Sequence, residues 1–309
     1  MANTRSAVCT LFLIACFSLS ALPQGGSTGG GINWDSTTLK RGEFTFEPLE
    51  VRTEKLESKL MGREMPFRVI LPAGYDDKSN ASKRYPVIYL LHGLTGNFSN
   101  WTDRTDIAEA ARGTDAIVVT PEGENGWYTD SVAKPDDRHE SYIVKELIPE
   151  IDKRFRTKAE LKSRVIAGLS MGGYGALKFG LKYPEMFSLA GSFSGALGAA
   201  TFPALGRSDA SLNSLAAVFG PMDSETRKTN DIFRLVREAT PEQIAAFPFI
   251  YFDCGTEDFL IGNNREFMAL LSEKKVPHEY RQLPGGHTWP YWGKQVKEFL
   301  QIAQRNFTK

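Results

Sequence analysis

Ser170 lies at the centre of Gly168-Leu169-Ser170-Met171-Gly172, between the apolar run Val165-Ile166-Ala167 and the segment Tyr174 to Phe179. A serine held on a sharp strand-to-helix turn presents its hydroxyl above a sheet, and glycines two residues on either side let the crowded backbones pass. The chemistry this predicts is nucleophilic attack on a carbonyl. A second cluster, Gly191-Ser192-Phe193-Ser194-Gly195, has the wrong spacing for such a turn and reads as the end of a buried strand followed by a loop.

An activated serine needs a base that is neutral near pH 7, and the chain offers four histidines. His278 alternates into a strand and suits a structural role. His139 opens an amphipathic helix among Asp136, Asp137, Arg138 and Glu140 and reads as solvated. His92 precedes Gly93 after a strand and suits loop shaping. His287, in Pro284-Gly285-Gly286-His287 after the last predicted strand, has the freedom to swing over a sheet and is the expected base. The acid that orients it should fall between serine and histidine in the chain. Phe252 to Phe259 contains Asp253, Glu257 and Asp258. Asp253 is still on the strand and is expected to fix the turn, which leaves Asp258 as the first choice and Glu257 as the fallback. Negative charge building on the carbonyl oxygen calls for preset backbone donors. Met171, just after the nucleophile at a helix start, supplies one, and Leu94 in His92-Gly93-Leu94-Thr95-Gly96 the other, with Gly93 as the alternative.

The elements that must hold these residues follow an α/β rhythm. Strands are expected at Phe67–Leu71, Val87–Leu91, Ala116–Thr120, Val165–Ala167, Phe187–Phe193, Phe249–Phe252 and Glu279–Leu283, with an antiparallel edge strand over Glu43–Val51. Nearly continuous apolar strands separated by helical spacing predict a mostly parallel central sheet covered by helices on both faces. Helices are expected over Asp103–Arg112, over His139–Phe155 with a kink at Pro149, from the elbow to about Tyr183, and from Trp289–Tyr291 to the end. The stretch 196–247 lacks the strand rhythm. It holds a predicted helix at Asp231–Glu238 and another after Thr240-Pro241, and reads either as a partial lid or as a long surface connection.

Composition narrows the function classes. The 309 residues are 41% apolar and 24% charged, enough for one catalytic domain. Thirty-seven basic residues balance 37 acidic ones, so no net field favours nucleic acid. Residues 1–22 carry Arg5 and then the apolar run Ala7 to Leu22, which reads as an export signal. Residues 23–41 are a flexible Gly/Ser-rich linker, and 42–309 the catalytic domain. Cleavage near Ser20 or Ala21 would release a secreted or periplasmic protein. Leu13-Ile14-Ala15-Cys16 offers the rival, a lipoprotein anchored through Cys16. Cys254, the remaining cysteine besides Cys9 and Cys16, has no partner for a disulfide and reads as a small buried hydrophobe. No metal-ligand spacing is present and the chemistry requires no cofactor. Of Trp101, Trp127, Tyr128, Trp289 and Trp292, at least half are expected to pack rather than to contact substrate.

Several blocks carry a resemblance: Gly62 to Asp76 (GREMPFRVILPAGYD), Leu90 to Asn97 (LLHGLTGN), Gly168 to Leu177 (GLSMGGYGAL), Cys254 to Leu260 (CGTEDFL) and Gly285 to Trp292 (GGHTWPYW). In this order they resemble the α/β-hydrolase esterase family of tributyrin esterases, S-formylglutathione hydrolases and feruloyl esterases, and more distantly the mycolyltransferases. The resemblance implies a Ser170–Asp258–His287 triad, an oxyanion hole from Leu94 and Met171, and hydrolysis of short-chain acyl or carbohydrate-linked esters through an acyl-enzyme. The GGHTWPYW ending is more similar to the tributyrin and feruloyl members than to the formylglutathione hydrolases. Acyl transfer of the mycolyltransferase type, a thioesterase and a binding protein on a hydrolase scaffold are the alternatives.

Overall fold

A computed structural model describes residues 49–203 and 210–308. The signal and linker (1–22 and 23–41), Cys9, Cys16 and the start of the expected edge strand lie outside the described residues. No helix among those described is long and apolar enough to cross a membrane.

Eight strands form one sheet: β1 (Val51–Ser58), β2 (Arg63–Ile70), β3 (Val87–Leu91), β4 (Ile117–Pro121), β5 (Arg164–Leu169), β6 (Leu189–Phe193), β7 (Phe249–Gly255) and β8 (His278–Leu283). Their order is β1-β2-β4-β3-β5-β6-β7-β8. β1 pairs antiparallel to β2 and β2 antiparallel to β4, while every later pairing is parallel. An antiparallel edge strand is formed by Val51–Ser58; of the expected segment Glu43–Val51, residues 43–48 lie outside the described residues and Leu49 and Glu50 are not in a strand. Its residues Val51 to Glu57 alternate exposed and half-buried, so no apolar run marks it.

The pleat divides the core in two. Val87, Tyr89, Leu91 and Ile166 point to one face, where Leu177, Phe179, Ile143 and Phe267 cover them. Ile88, Leu90, Val165 and Ala167 point to the other, against Trp101, Ile107, Val296 and Phe299. Continuous apolar strands are the consequence of burial on both sides. The first face is covered by helices including α5 (Met171–Lys182), α8 (Ile232–Glu238) and α10 (Ile261–Glu273), and the second by α1 (Asn100–Arg104), α2 (Ile107–Ala111) and α11 (Trp289–Phe307).

Two helices differ from expectation. Asp103–Arg112 is not one helix: the hydroxyl of Thr105 accepts from the Ile107 N–H at 3.2 Å and starts α2 separately from α1. His139–Phe155 forms α3 (His139–Tyr142), a π-helical stretch Ile143–Leu147, and α4 (Ile148–Arg154). The Ile148 N–H reaches the Ile143 carbonyl, five residues back. Pro149 has no N–H for the Lys145 carbonyl, so the chain widens by one residue upstream of it and continues.

In the insertion, the expected helices appear as α8 and α9 (Pro241–Ala246), the latter with a Thr240/Gln243 capping box. Two more, α6 (Ala210–Phe219) and α7 (Glu225–Asn230), precede them.

Candidate active site

The strand order reverses direction beside β3: β4 lies on one side of it and β5 on the other. Loops leaving the carboxyl ends of β3 and β5 diverge there, which opens a crevice at the end of the sheet. The predicted residues converge on it.

Ser170 has φ 52° and ψ −114° and directly precedes α5. A Cβ on Gly172 would lie 2.5 Å from the carbonyl oxygens of Leu91 and His92, and one on Gly168 would lie 2.5 Å from Gly172 backbone. Those approaches make both glycines necessary. The strained serine is fixed by the hydrogen bond from its N–H to the Phe193 carbonyl at 3.0 Å and by the Ala196 N–H to its own carbonyl at 3.0 Å. The Gly191–Gly195 segment thus ends a buried strand, as expected, and also braces the elbow.

The Oγ of Ser170 lies 3.0 Å from His287 Nε2, and His287 Nδ1 lies 2.8 Å from Asp258 Oδ2. Asp258 is buried, and its other oxygen accepts from the Leu260 N–H at 2.9 Å. Burial pushes the Asp258 carboxyl up, but its hydrogen bonds to His287 and the Leu260 amide outweigh that and hold it below its ordinary range. A permanently ionised carboxylate is what keeps a proton on Nδ1 and leaves Nε2 free to accept one.

Glu257 has a different role. Its carboxylate accepts from the Thr256 hydroxyl at 2.8 Å and from the Gly285 N–H, while its own N–H donates to the Gly285 carbonyl at 3.0 Å. It ties the acid loop to the histidine loop. Asp253 does not fix the turn by its side chain: it is fully buried in β7, where Tyr251 donates to it at 3.1 Å. Burial pushes its carboxyl up to about 8, with the Tyr291 and Tyr251 hydroxyls pulling the other way.

The Met171 and Leu94 amides occupy the expected places, one at the first residue of α5 and the other in the loop after β3. Neither has a hydrogen-bond partner among the described residues, as the first amides of a helix have none within it. Gly93 brings that loop against Ser170, since a Cβ there would lie 3.4 Å from Ser170 Cβ. His92 shapes the loop as expected. Its Nδ1 is 2.8 Å from the Gly93 carbonyl and its Nε2 3.1 Å from Glu122. Glu122 in turn accepts from the Phe98 N–H at 3.2 Å and the Glu124 N–H at 2.6 Å. This buried glutamate was not anticipated, although its position just past β4, at the site end of the sheet, was a signal.

His139 is a correction. It is buried rather than solvated, at 1% exposure, with Nε2 3.6 Å from Glu124. The missing Cβ of Gly126 makes room for its ring. The His139 hydrogen bond, with Arg63 beside it, lowers the Glu124 carboxyl to about 2 although burial opposes this. Glu124, Asp137 and His139 form the one cluster of potential metal ligands among the described residues. Arg63 already bridges its two carboxylates, at 2.9 Å and 3.0 Å.

Above Ser170 and His287 opens a cleft of about 520 Å³ whose walls include Leu94, Asn100, Arg104, Trp289 and Trp292. Trp101, Trp127 and Tyr128 are buried, as packing predicts, and Trp289 is half-buried on the cleft wall. Phe259, 78% exposed, sets its ring 4.7 Å from the ring of His287. None of the described residues of 196–247 lines the cleft. Cys254 is free, buried, and its thiol is pushed up to about 12 by burial, an inert packing residue as expected.

Comparison with known proteins bears on the family and the fold. A family model described as "Putative esterase" matches residues 58–301. An acetyl esterase of Caldicellulosiruptor saccharolyticus is 33% identical over 247 residues, covering 77% of this chain and 92% of its own. Among solved structures, a ferulic acid esterase is 29% identical with a TM-score of 0.72, covering 84% of this chain and 100% of that one. FphF, a fluorophosphonate-binding serine hydrolase of Staphylococcus aureus, is 26% identical with a TM-score of 0.76, over 84% of this chain and 99% of its own.

Proposed function

Since this chain belongs to the "Putative esterase" family of α/β-hydrolase fold, we propose that it is a serine carboxylesterase that cleaves short-chain acyl or sugar-linked esters through an acyl-enzyme. The observation that carries this reading is the unbroken chain from Ser170 Oγ to His287 at 3.0 Å and from His287 to buried Asp258 at 2.8 Å, open to a cleft.

In the first half-reaction Ser170 Oγ bonds to the ester carbonyl carbon while its proton passes to His287 Nε2. Charge on the carbonyl oxygen is met by the Leu94 and Met171 amides. When the tetrahedral adduct collapses, the bond to the alcohol oxygen breaks and His287 returns the proton to that oxygen. Water then bonds to the acyl carbon as its proton passes to His287 Nε2, the bond from that carbon to Ser170 Oγ breaks, and His287 returns the proton to Oγ as the acid leaves. Asp258 stabilises the imidazolium in both halves without taking its proton. The apolar run behind Arg5 supports export of the enzyme, so that its esters would be met outside the cytoplasm.

Trapping tests the nucleophile directly. A fluorophosphonate should phosphonylate one residue, found by mass spectrometry in the peptide containing Ser170, and Ser170→Ala should take no label and lose about four orders of magnitude in kcat. Label on Ser192 or Ser194, or a Ser170→Ala variant with more than a few per cent of wild-type kcat, would contradict the assignment.

A further inference from the structure

The loop that carries the Leu94 amide is a tight turn in an unfavourable form. The Gly96 N–H donates to the Gly93 carbonyl at 3.0 Å, so Gly93, Leu94, Thr95 and Gly96 are its four residues. Thr95, the third, has φ 63°, while Leu94 is not left-handed. A left-handed residue in third place defines a type II turn, and that place is ordinarily held by glycine or asparagine. Thr95 is the one β-branched residue with positive φ among those described. For such a side chain the left-handed region is a genuine outlier. The competing type I turn takes threonine in third place without this strain, and it differs by turning over the peptide that joins Leu94 to Thr95.

The contact that opposes this flip comes from a different loop. The Thr95 N–H donates to Asn125 Oδ1 at 2.8 Å. That N–H belongs to the peptide that would turn over, so a flip breaks the bond. Asn125 lies past β4 in a second turn, Gly123 to Gly126, closed by the Gly126 N–H to the Gly123 carbonyl at 3.0 Å. Here the second residue, Glu124, is the left-handed one, at φ 45°, which is the mirror-image type II′ form. Two contacts hold Glu124 in it: its N–H donates to Glu122 at 2.6 Å, and its carboxylate pairs with Arg63 at 2.9 Å. Asn125 is therefore offered from a fixed turn. It lines a depression separate from the catalytic cleft and is not among the residues that line the cleft itself.

Backbone strain persists only where the surrounding structure over-determines it. Resting on the esterase reading, we infer that Asn125 is a positioning residue for catalysis: by accepting from Thr95 it holds the Gly93–Gly96 turn in its type II form and presets the Leu94 amide for the carbonyl oxygen. Leu94 stands at the corner of the turn, so flipping the peptide on one side of it shifts the corner from which its own N–H projects. A donor set in advance needs no rearrangement as charge develops, and that is the source of its catalytic effect. Without the Asn125 acceptor, threonine favours the type I form, and part of the population loses the preset donor.

The test is a double-mutant cycle of Asn125→Ala with Thr95→Gly. Glycine takes a positive φ at little cost, so after Thr95→Gly the type II turn no longer depends on the hydrogen bond. Asn125→Ala alone should lower kcat on 4-nitrophenyl acetate by about tenfold, less than the roughly hundredfold or more of losing a donor outright. KM should stay within about twofold, since the interaction acts on the transition state, and Tm within about 2 °C, since Asn125 is exposed. In the Thr95→Gly background the same substitution should cost no more than about twofold. Affinity for a trifluoromethyl ketone, which forms an oxyanionic adduct with the serine, should fall in step with kcat/KM, as it does for a transition-state analogue. An unchanged kcat, a loss confined to KM, or an equal loss in the two backgrounds would overturn the inference while sparing the esterase reading. A wild-type protein that neither hydrolyses the ester nor binds the ketone would remove that reading, and this inference with it.

Discussion

Two carboxylates one residue apart divide the work at the site. Asp258 is buried and faces His287 Nδ1, while Glu257 is turned to Thr256 and Gly285. The sequence placed both in the loop past Gly255 with reach toward His287, and only the side-chain directions separate them. The geometry assigns Asp258 a charge that stabilises the imidazolium, and Glu257 a tie between two loops. Asp258→Asn should lower kcat by about three to four orders of magnitude, because an amide neither balances the imidazolium nor fixes its tautomer. Glu257→Gln should stay within about tenfold of wild type, since it loses one charge-assisted bond to an amide and no contact with histidine. Steady-state kinetics on both variants decides the matter, and the reverse order of loss would exchange their roles. Since Asp258 is held below its ordinary range, its contribution persists into mild acid and is lost only as pH falls through that depressed value.

At the scale of elements, β7 carries a cost that the site accepts. Asp253 sits fully buried between Tyr251 and the start of α11, and burial raises its carboxyl to about 8. A raised carboxylate means the folded chain keeps a proton that the unfolded chain has released. Stability from this group is therefore lost as pH rises from the ordinary carboxylate range toward about 8. Asp253→Asn keeps the shape and removes the titration, so its Tm should fall less than that of wild type between about pH 5 and about pH 8. Parallel Tm curves for the two proteins over that window would rule the account out. A second buried group works differently. Lys178 on α5 donates to the Tyr128 carbonyl at 2.5 Å and pairs with Glu140 at 2.6 Å. Burial lowers Lys178 to about 8, and although burial also opposes the charge on Glu140, Lys178 and Lys182 hold that carboxyl at about 2. The pair pins the elbow helix to α3, and through it the position of Ser170.

Much of this was legible in the chain because one physical rule governed each element. β3 was read with its observed bounds because both faces are buried and every residue is apolar. The contacts of Ser170 with His287 and of His287 with Asp258 were legible because chain order and the glycine spacing around Ser170 leave few alternatives. What was missed depended on distant contacts. His139 has charged neighbours in sequence, but Gly126 and Glu124, more than ten residues away, make its buried niche. β1 alternates too weakly to announce itself and is fixed by pairing along the whole length of β2. Pro149 signals a break, and the π-helical stretch before it absorbs the missing hydrogen bond instead.

The whole molecule is an α/β-hydrolase-fold esterase whose sheet separates two helical layers and whose reactive residues gather at one crevice. That placement bears on the size of acyl group the enzyme would accept. A cleft of about 520 Å³ has room for a small acyl group and part of an alcohol. Its walls near Ser170 mix Asn100, Thr95 and Arg104 with Leu94 and the tryptophans, and the described part of 196–247 adds no apolar cover. Each methylene gains about 0.8 kcal/mol only while it is taken out of water. Up to the limit of the apolar wall, kcat/KM should rise by about fourfold per methylene, and beyond it the chain should project into solvent with no further gain and a growing cost in ordering. Butyryl esters should therefore exceed acetyl esters, octanoyl esters should do no better than butyryl, and palmitoyl esters should be turned over least. A kcat/KM series over 4-nitrophenyl acetate, butyrate, octanoate and palmitate below their micelle concentrations reads this directly. A maximum at palmitate would mean that an apolar channel extends past the cleft, and the short-chain reading would fall.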